Sequence, residues 1–318
     1  MERVIRFLKD WTLPVAIVLG TTLYLVFANV SALDGAARFF DPIFDAIFPF
    51  FMAMILFTTF CRVDFHKMRL ARWHWAIVVV QVVLVAINAV AIIVFGLAGN
   101  DLVLAEGLLC CVIAPGAAAA PVVTGKLGGN LESMTTYTFV SNFITALMVP
   151  VVFPLVDHHV TVPFMESFLK IMSNVCLVLV VPMAAAYVVK HFMPRLHVWI
   201  TSIRDLSFYM WGISLSIVTG STVKYIVHAG TTVMFLVVIA TISLVVCLLQ
   251  FAVGRALGRR SGFSIESGQG LGQKNTAFAV WIAYTYLTPL CAVGPGCYIV
   301  WQNTINSLEI YRHRKKQQ

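Results

Sequence analysis

One lysine, Lys274, lies between Gln273 and Asn275 in an otherwise apolar stretch, about ten residues from the nearer end of that stretch. A lysine at mid-membrane depth costs roughly 2.5–3.5 kcal/mol on insertion scales, and such residues mark functional sites by default. Backbone carbonyls at the ends of interrupted helices would favour a positive charge there. Lys274 is therefore the first candidate for ion or substrate binding. The alternative is a side chain that reaches back to the inner surface.

Helix-breaking residues are concentrated in two apolar stretches. In the first, Pro115 lacks a backbone N–H, Gly116 follows it, and Pro121 suits the first turn of a new helix. In the second, the cluster at residues 267–275 contains Lys274 and three glycines at alternate positions: Gly268, Gly270 and Gly272. Each cluster predicts unwound backbone, which survives at membrane depth only where it is buried in protein or lines a wet cavity. An ordinary kink is the alternative for any single residue.

Polar side chains recur at helical spacing in three other apolar stretches. Gln81 and Asn88 are seven residues apart and share one helix face. The further members are Thr135, Thr138 and Asn142 in one stretch, and Gln302, Asn303 and Asn306 in another. They could form a polar lining beside the interrupted helices, or they could make hydrogen bonds between helices without a binding role. The histidines are scattered and no HExxH, GxSxG or P-loop pattern is present, so the sequence favours neither an enzyme nor a cofactor.

The amino-acid composition indicates that much of the chain lies in an apolar solvent. Of the 318 residues, 60% are hydrophobic and 11% charged, whereas a soluble domain carries about 25% charged residues. The apolar residues come in runs of about 20, which matches a hydrocarbon slab of roughly 30 Å. The net charge of +8 could suit nucleic acid, but most basic residues lie in short connectors between apolar runs, which argues against that partner. The seven cysteines, without CxxC spacing, are interpreted as small buried side chains.

Apolar runs and their punctuation predict about ten transmembrane helices, near residues 12–31, 41–61, 73–98, 102–126, 133–156, 164–189, 198–223, 229–254, 264–287 and 290–311. The seventh predicted span is the least certain in its bounds, because Arg204 and Asp205 lie near its start. With ten spans, every cluster of basic residues falls on one face, and the positive-inside rule then predicts a multi-pass protein of the plasma (inner) membrane with both termini cytoplasmic. A signal peptide cleaved after Ala32 is the alternative for the first span.

Ten spans divide into five and five, residues 1–159 and 160–318. An odd number of spans per half gives the halves opposite orientations, as in inverted-repeat transporters. The two clusters of helix breakers fall in spans four and nine, which correspond under that repeat. The predicted fold is an all-α membrane protein with two five-helix inverted repeats and broken, crossing helices 4 and 9.

At these residues the sequence resembles the bile acid:sodium symporter family, as a divergent bacterial-type member. The turn at Pro115 and Gly116 is similar to the first half of the family's helix-four signature. The further matches are Gln81 at the helix-three glutamine, residues 270–279 against Glu-x-Gly-x-Gln-Asn-Ser-Gly-Leu-Ala, and Trp301-Gln302-Asn303 with Ser307 against Trp-His-Asn…Ser. In topology the resemblance covers nearly the whole chain.

The resemblance implies two sodium ions held by oxygen ligands where helices 4 and 9 cross. Most of those ligand positions differ in this chain: Ser-Asn falls on Ala120-Pro121, Glu on Gly270, the helix-five serine on Met134, and the Gln before Asn on Lys274. The remaining candidates for a weak sodium site are Gln81 and Thr138.

The sequence therefore predicts a secondary active transporter that moves a small organic anion, bile-acid-like or another carboxylate, by alternating access in the lipid bilayer. We expect no cofactor, no nucleic acid and no obligate protein partner, and sodium or a proton as the coupling ion. The Lys274 ammonium would replace a sodium ion, either permanently or while exchanging a proton.

The candidate binding residues are Gln81, Pro115, Gly116, Pro121, Thr138, Asn142, Gly270, Gln273, Lys274, Asn275 and Asn303. The alternatives are a non-transporting membrane sensor of the same fold and a standard sodium-coupled bile acid symporter. A channel ranks third.

Overall fold

The computed structural model describes residues 11–30, 35, 50–51, 53–156, 163–203, 205–227 and 230–317, and this part of the chain is mainly helical. Its α-helices are α1 (Thr12–Asn29), α2 (Arg72–Val94), α3 (Gly99–Ile113), α4 (Ala120–Lys126), α5 (Leu131–Val156), α6 (Phe164–Val175), α7 (Val181–Phe192), α8 (Pro194–Ser202), α9 (Leu206–Val227), α10 (Val233–Arg259), α11 (Ser264–Gly272), α12 (Thr276–Tyr286) and α13 (Val293–Gln317). Residues 50, 51 and 53–60 are also helical. A π-helical turn (Cys176–Val180) joins α6 to α7, and short 3-10 helices cover Phe65–Lys67 and Pro289–Ala292.

Several of these helices suit a bilayer. Within the described ranges, six are long and apolar enough to cross a membrane: Thr12–Asn29, Arg72–Val94, Leu131–Val156, Phe164–Phe192, Leu206–Lys224 and Val233–Arg259. Their outward side chains are apolar as well, as on α2, where Ile87, Val90 and Val94 are all exposed. Exposed apolar side chains along whole helices require an apolar solvent. The chain is therefore an all-α, multi-pass membrane protein.

Two predicted spans differ in detail from the structure. The seventh, placed at 198–223, is wrong at its start, because α8 ends at Ser202 and a separate helix, α9, begins at Leu206. Asp205 lies in that connection, where a charged group is far less costly than within a span, and Arg204 lies outside the described residues. Most of the second predicted span, 41–61, lies outside the described residues.

The chain folds as two compact units, each built from separate stretches of sequence. The first contains the described residues of Met1–Val63, Leu177–Val227 and Asn303–Gln318, and the second contains those of Asp64–Cys176 and His228–Gln302. Each unit draws on both predicted halves of the sequence. The division into repeats at 159/160 is a statement about symmetry and stays a prediction.

In the first unit, α1 packs closely on α9. A Cβ added at Gly20 would overlap the carbonyl group of Ser216, and a Cβ at Gly220 would lie 3.3 Å from the Gly20 oxygen. Small residues let membrane helices approach through their backbones, where dispersion contacts replace the hydrophobic effect as the source of association. The Thr58 and Ser207 hydroxyls add a hydrogen bond of 2.8 Å within this unit.

The second unit contains both interrupted helices. Its α10 and α11 also meet at glycine, since a Cβ at Gly254 would overlap the carbonyl oxygen of Ser267. A core cluster that includes Trp73, Ile77, Met134, Tyr137 and Leu271 packs beside the interruptions. This core fixes the helix ends that form the candidate site.

Candidate functional site

The two helix interruptions lie side by side and are paired through their backbones. The first is the segment 114–119 between α3 and α4, and the second is the segment 273–275 between α11 and α12. Gly116 and Lys274 form an antiparallel bridge. The Ala117 N–H donates to the Gln273 oxygen at 2.8 Å, and the Asn275 N–H donates to the Pro115 oxygen at 2.8 Å. The two segments, called here the paired breaks, therefore satisfy backbone groups that helix unwinding exposes.

The Lys274 side chain lies against the carboxyl end of α3. Its Nζ donates to the Val112 oxygen at 3.1 Å and to the Ala114 oxygen at 3.0 Å, and the residue has no exposed surface. The last carbonyls of a helix have no intrahelical donor and carry its negative dipole end, so an ammonium stabilises this position twice over. No carboxylate forms an ion pair with Lys274 among the described residues. Both hydrogen bonds of the Lys274 side chain among the described residues therefore go to backbone carbonyls.

Two neutral side chains complete the capping of α3. Gln81 Nε2 donates to the oxygens of Ile113 and Ala114, both at 3.1 Å, and Thr145 Oγ1 donates to the Ile113 oxygen at 2.9 Å. Lys274 and Gln81 thus share the Ala114 carbonyl. All of these side chains are buried, which makes each bond hard to replace by water.

The Lys274 backbone is held by a side-chain amide. Gln302 Oε1 accepts from the Lys274 N–H at 2.8 Å, and Gln302 Nε2 donates to the Lys274 oxygen at 3.1 Å. This pair of bonds imitates the partner that a neighbouring strand would supply. Gln302 therefore fixes the position from which the Lys274 side chain starts.

The second half-helix end is capped without a charge. Tyr298 Oη donates to the Gly272 oxygen at 2.8 Å, and Gln250 Nε2 donates to Tyr298 Oη at 3.0 Å. On the other side, the Gly116 N–H donates to Ser141 Oγ at 2.8 Å. The paired breaks are thus asymmetric, because Lys274 Nζ lies at the end of α3 and the Tyr298 hydroxyl bonds to the end of α11.

The three alternate glycines do not themselves form the unwound segment. They belong to α11, which ends at Gly272, so the prediction of unwound backbone at 268–272 is wrong by a few residues. Their role is close packing. A Cβ at Gly270 would lie 2.9 Å from the Tyr137 ring, and one at Gly272 would overlap the Phe251 ring. The break follows directly after them, at Gln273–Asn275.

The structure brings some predicted site residues to the paired breaks and gives others local roles. Pro121 lies in the first turn of α4, and Asn275 caps α12 by accepting the Phe278 N–H at 3.2 Å. Thr138 Oγ1 donates to the Met134 oxygen within α5, and Asn142 Nδ2 donates to the Thr138 oxygen. These last two bonds lie within one helix.

Two further candidates occupy particular positions. Gln273 is buried, and its Oε1 has no hydrogen-bond partner among the described residues. Asn303 is buried on α13 and belongs to the first unit, whereas the paired breaks belong to the second. Within the described ranges, no group of three or more His, Cys, Asp or Glu side chains is arranged to hold a metal ion.

Three contacting residues were not predicted, namely Ser141, Thr145 and Tyr298, whereas Gln302 was predicted only as part of a possible polar lining. A signal for the first two exists, since Ser141 and Thr145 are four residues apart and lie next to the stripe that contains Thr138 and Asn142. Sequence spacing alone does not decide which of two adjacent helical stripes faces the break. Tyr298 and Gln302 are also four residues apart, on one face of α13.

Comparison with known proteins gives one family. A profile described as the Sodium Bile acid symporter family matches residues 49–229, which is more than half of the chain. No curated protein matches the sequence. The family consists of transporters, which need no cofactor, so the matched region and the apolar helices agree on a membrane transport protein. The chain belongs to the sodium bile acid symporter family.

Proposed function

We propose that the protein is a secondary active transporter of a small organic anion, bile-acid-like or another carboxylate. In this proposal ten helices form two inverted repeats, residues 1–159 and 160–318, with both termini on the cytoplasmic side of the plasma membrane. The paired interruptions support this arrangement, because inverted-repeat transporters bind their cargo at discontinuous helices. The family supports the class of substrate and the alternating-access cycle.

The contact between Lys274 and the end of α3 carries the proposal for the coupling mechanism. Its ammonium lies where two backbone carbonyls converge, which is the environment that a bound cation would also use. We infer that this fixed positive charge replaces a sodium ion of the family's transport cycle. The two converging carbonyls favour the charged form of this side chain, and the proposal is that the ammonium stays in place through the cycle; the alternative, in which it exchanges a proton, requires the cost of burying a charge to outweigh their attraction.

The side chains at the family's ligand positions support the same inference. Ala120, Pro121 and Gly270 offer no side-chain oxygen for a hard cation. Thr138 Oγ1 donates its hydrogen bond within α5, and Gln81 Nε2 donates to the carbonyls at the end of α3. Of these positions only Thr138 Oγ1 and Gln81 Oε1 keep a side-chain oxygen that could bind a cation, and two such oxygens are few for two sodium ions, which supports the proposal that the family's sodium sites are largely lost.

Two alternatives make different predictions. A non-transporting sensor of the same fold would bind an anion and move none, and a standard sodium-coupled symporter would need sodium for every cycle. Lys274 argues against the second because its ammonium would repel a sodium ion bound beside it. Only a flux measurement distinguishes the non-transporting sensor from a transporter.

The experiment is counterflow in proteoliposomes. Vesicles preloaded with unlabelled cholate receive radiolabelled cholate outside, and the same assay is run with a panel of short carboxylates. A transporter accumulates label transiently in protein-containing vesicles and not in empty ones. Saturable binding of any of these anions without counterflow would favour the sensor and overturn the proposal.

A further inference from the structure

A second ionisable side chain, Glu106, is buried in the same unit and has no part in the paired breaks. It lies on α3 with 2% of its surface exposed. Val112, whose carbonyl oxygen accepts from Lys274 Nζ, follows six residues later, so the Glu106 and Val112 backbones are about 9 Å apart along the helix axis. Ionisable groups at such depth mark ion pathways by default. Glu106 therefore needs its own explanation.

A chain of hydrogen bonds joins this carboxyl group to the protein surface. The Cys291 thiol donates to Glu106 Oε2 at 3.2 Å, and Cys291 Sγ lies 3.2 Å from Thr288 Oγ1. Because the thiol proton is already used toward Glu106, the Thr288 hydroxyl must be the donor in the second bond. Thr288 is exposed, whereas Cys291 and Glu106 are buried. The chain thus runs from the surface inward.

The backbone holds this chain at close range. The 3-10 turn Pro289–Ala292 packs on α3, and glycine makes the approach narrow on both sides. A Cβ at Gly107 would lie 3.1 Å from the Cys291 oxygen, and a Cβ at Gly294 would lie 2.9 Å from the Gly107 oxygen. The distance between the thiol and the carboxyl group is therefore fixed by packing rather than by flexible side chains.

We propose that Glu106 is a proton-binding site, loaded from the outer face through Thr288 and Cys291. Thr288 lies in the connector between the ninth and tenth predicted spans, which the loop charges place outside. The thiol passes its proton to Oε2, where a new O–H bond forms as the S–H bond breaks. The Thr288 hydroxyl then restores the thiol and takes a proton from solution. The net result is one proton bound and one buried negative charge removed.

The groups around the carboxyl are compatible with this role. Cys291 from the turn and Cys110 from α3 face it, and α10 presents the apolar Ile239 to the same stretch. On α2 and α5, His74 with its partner Ser133 and Glu132 with the Asp64 N–H lie in the first turns, and Tyr137 lies farther along α5 against the Trp73 ring. Tyr284 and Tyr286 lie in the last turn of α12.

The inference rests on the proposed function, to which it adds the coupling ion. The bound proton neutralises the Glu106 carboxylate, and its charge offsets the charge of the organic anion that moves in the same cycle. The ammonium and the carboxyl then have separate tasks: one holds the paired breaks, and the other is loaded and unloaded in each cycle.

The direct test is pH-difference infrared spectroscopy of the purified protein in lipid. We expect a protonated-carboxyl band that forms as the pH falls, is lost in Glu106→Gln and persists in the matched control Asp101→Asn, which changes an exposed carboxylate on the same helix. Cys291→Ala should slow proton uptake and Cys291→Ser should retain it. An unchanged band in Glu106→Gln would overturn the proposal. If that variant does not fold, an unchanged rate of proton uptake in Cys291→Ala would overturn it.

A transport arm separates this inference from the proposed function. An inward pH gradient should drive accumulation of labelled cholate in parent vesicles and lose its effect in Glu106→Gln. Absence of cholate counterflow in the parent would count against the proposed function while the infrared result still decides the proton site. Counterflow in the parent with an unaltered response to the gradient in Glu106→Gln would contradict the inference alone.

Discussion

Replacement of Lys274 by methionine isolates what the ammonium does. Methionine keeps a flexible, unbranched side chain of similar reach and removes every donor. The Ala114 oxygen would keep Gln81 Nε2 at 3.1 Å, whereas the Val112 oxygen would lose the bond from Nζ. The substitution therefore leaves one buried carbonyl without the donor it has in the parent.

The size of the effect follows from two opposing contributions. A buried acceptor left unpaired costs about 1–3 kcal/mol of stability. Removal of a buried charge recovers part of that loss, because the ammonium no longer has to be kept out of water. We expect a net loss of about 1–2 kcal/mol, at the lower end of the range for an unpaired carbonyl.

The assay is thermal unfolding in detergent, followed by tryptophan fluorescence and by loss of the monodisperse elution peak. Lys170→Met is the matched control, since Lys170 is exposed and its Nζ lies over the Trp281 ring, at 5.7 Å from the centroid. The control should unfold close to the parent temperature. A Lys274→Met protein as stable as the parent, or a control that loses as much, would refute the reasoning.

Three further substitutions test the contacts around the paired breaks. Gln302→Leu removes both side-chain hydrogen bonds to the Lys274 backbone and leaves the buried Lys274 N–H unpaired, so the unfolding free energy should fall by about 1–3 kcal/mol. A variant that unfolds at the parent temperature would show that Gln302 does not position Lys274. Thr145→Val removes a hydrogen bond from α5 to the Ile113 oxygen of α3, so the unfolding free energy should fall by about 1 kcal/mol. Thr138→Val loses only a bond within α5 and should be nearly neutral. Equal losses for the two variants in denaturation curves would contradict this prediction. Gly272→Ala places a methyl group in the Phe251 ring and should destabilise by about 1–3 kcal/mol, while Gly125→Ala, whose Cβ meets only a Leu131 methyl at 3.9 Å, should be tolerated; thermal stability of Gly272→Ala at parent level would show that the two helices separate easily.

The sequence located the interruptions because proline and glycine act on the backbone locally. Pro115 has no N–H to continue α3, and Pro121 suits the start of α4, so both ends of the first break could be predicted within a few residues. The second break was less well defined. Glycine permits unwinding and also permits close packing, and only the neighbouring Tyr137 and Phe251 rings decide that Gly270 and Gly272 serve packing.

The partners of Lys274 were beyond the reach of sequence reasoning. An apolar stretch with one lysine predicts a functional residue but not which helix end receives the ammonium, because that depends on how α3 and α11 meet. The same limit applies to Ser141 and Thr145. They lie on the stripe of α5 next to the predicted one, and a helix rotated by one residue would reverse the two assignments.

The most direct test of the account is the sodium dependence of anion uptake. Initial rates of labelled cholate uptake, or of whichever carboxylate shows counterflow, are measured in proteoliposomes with sodium and with choline as the cation, at equal membrane potential and pH gradient. The account predicts equal rates, because the Lys274 ammonium already provides the positive charge at the end of α3. Uptake that requires sodium would contradict it.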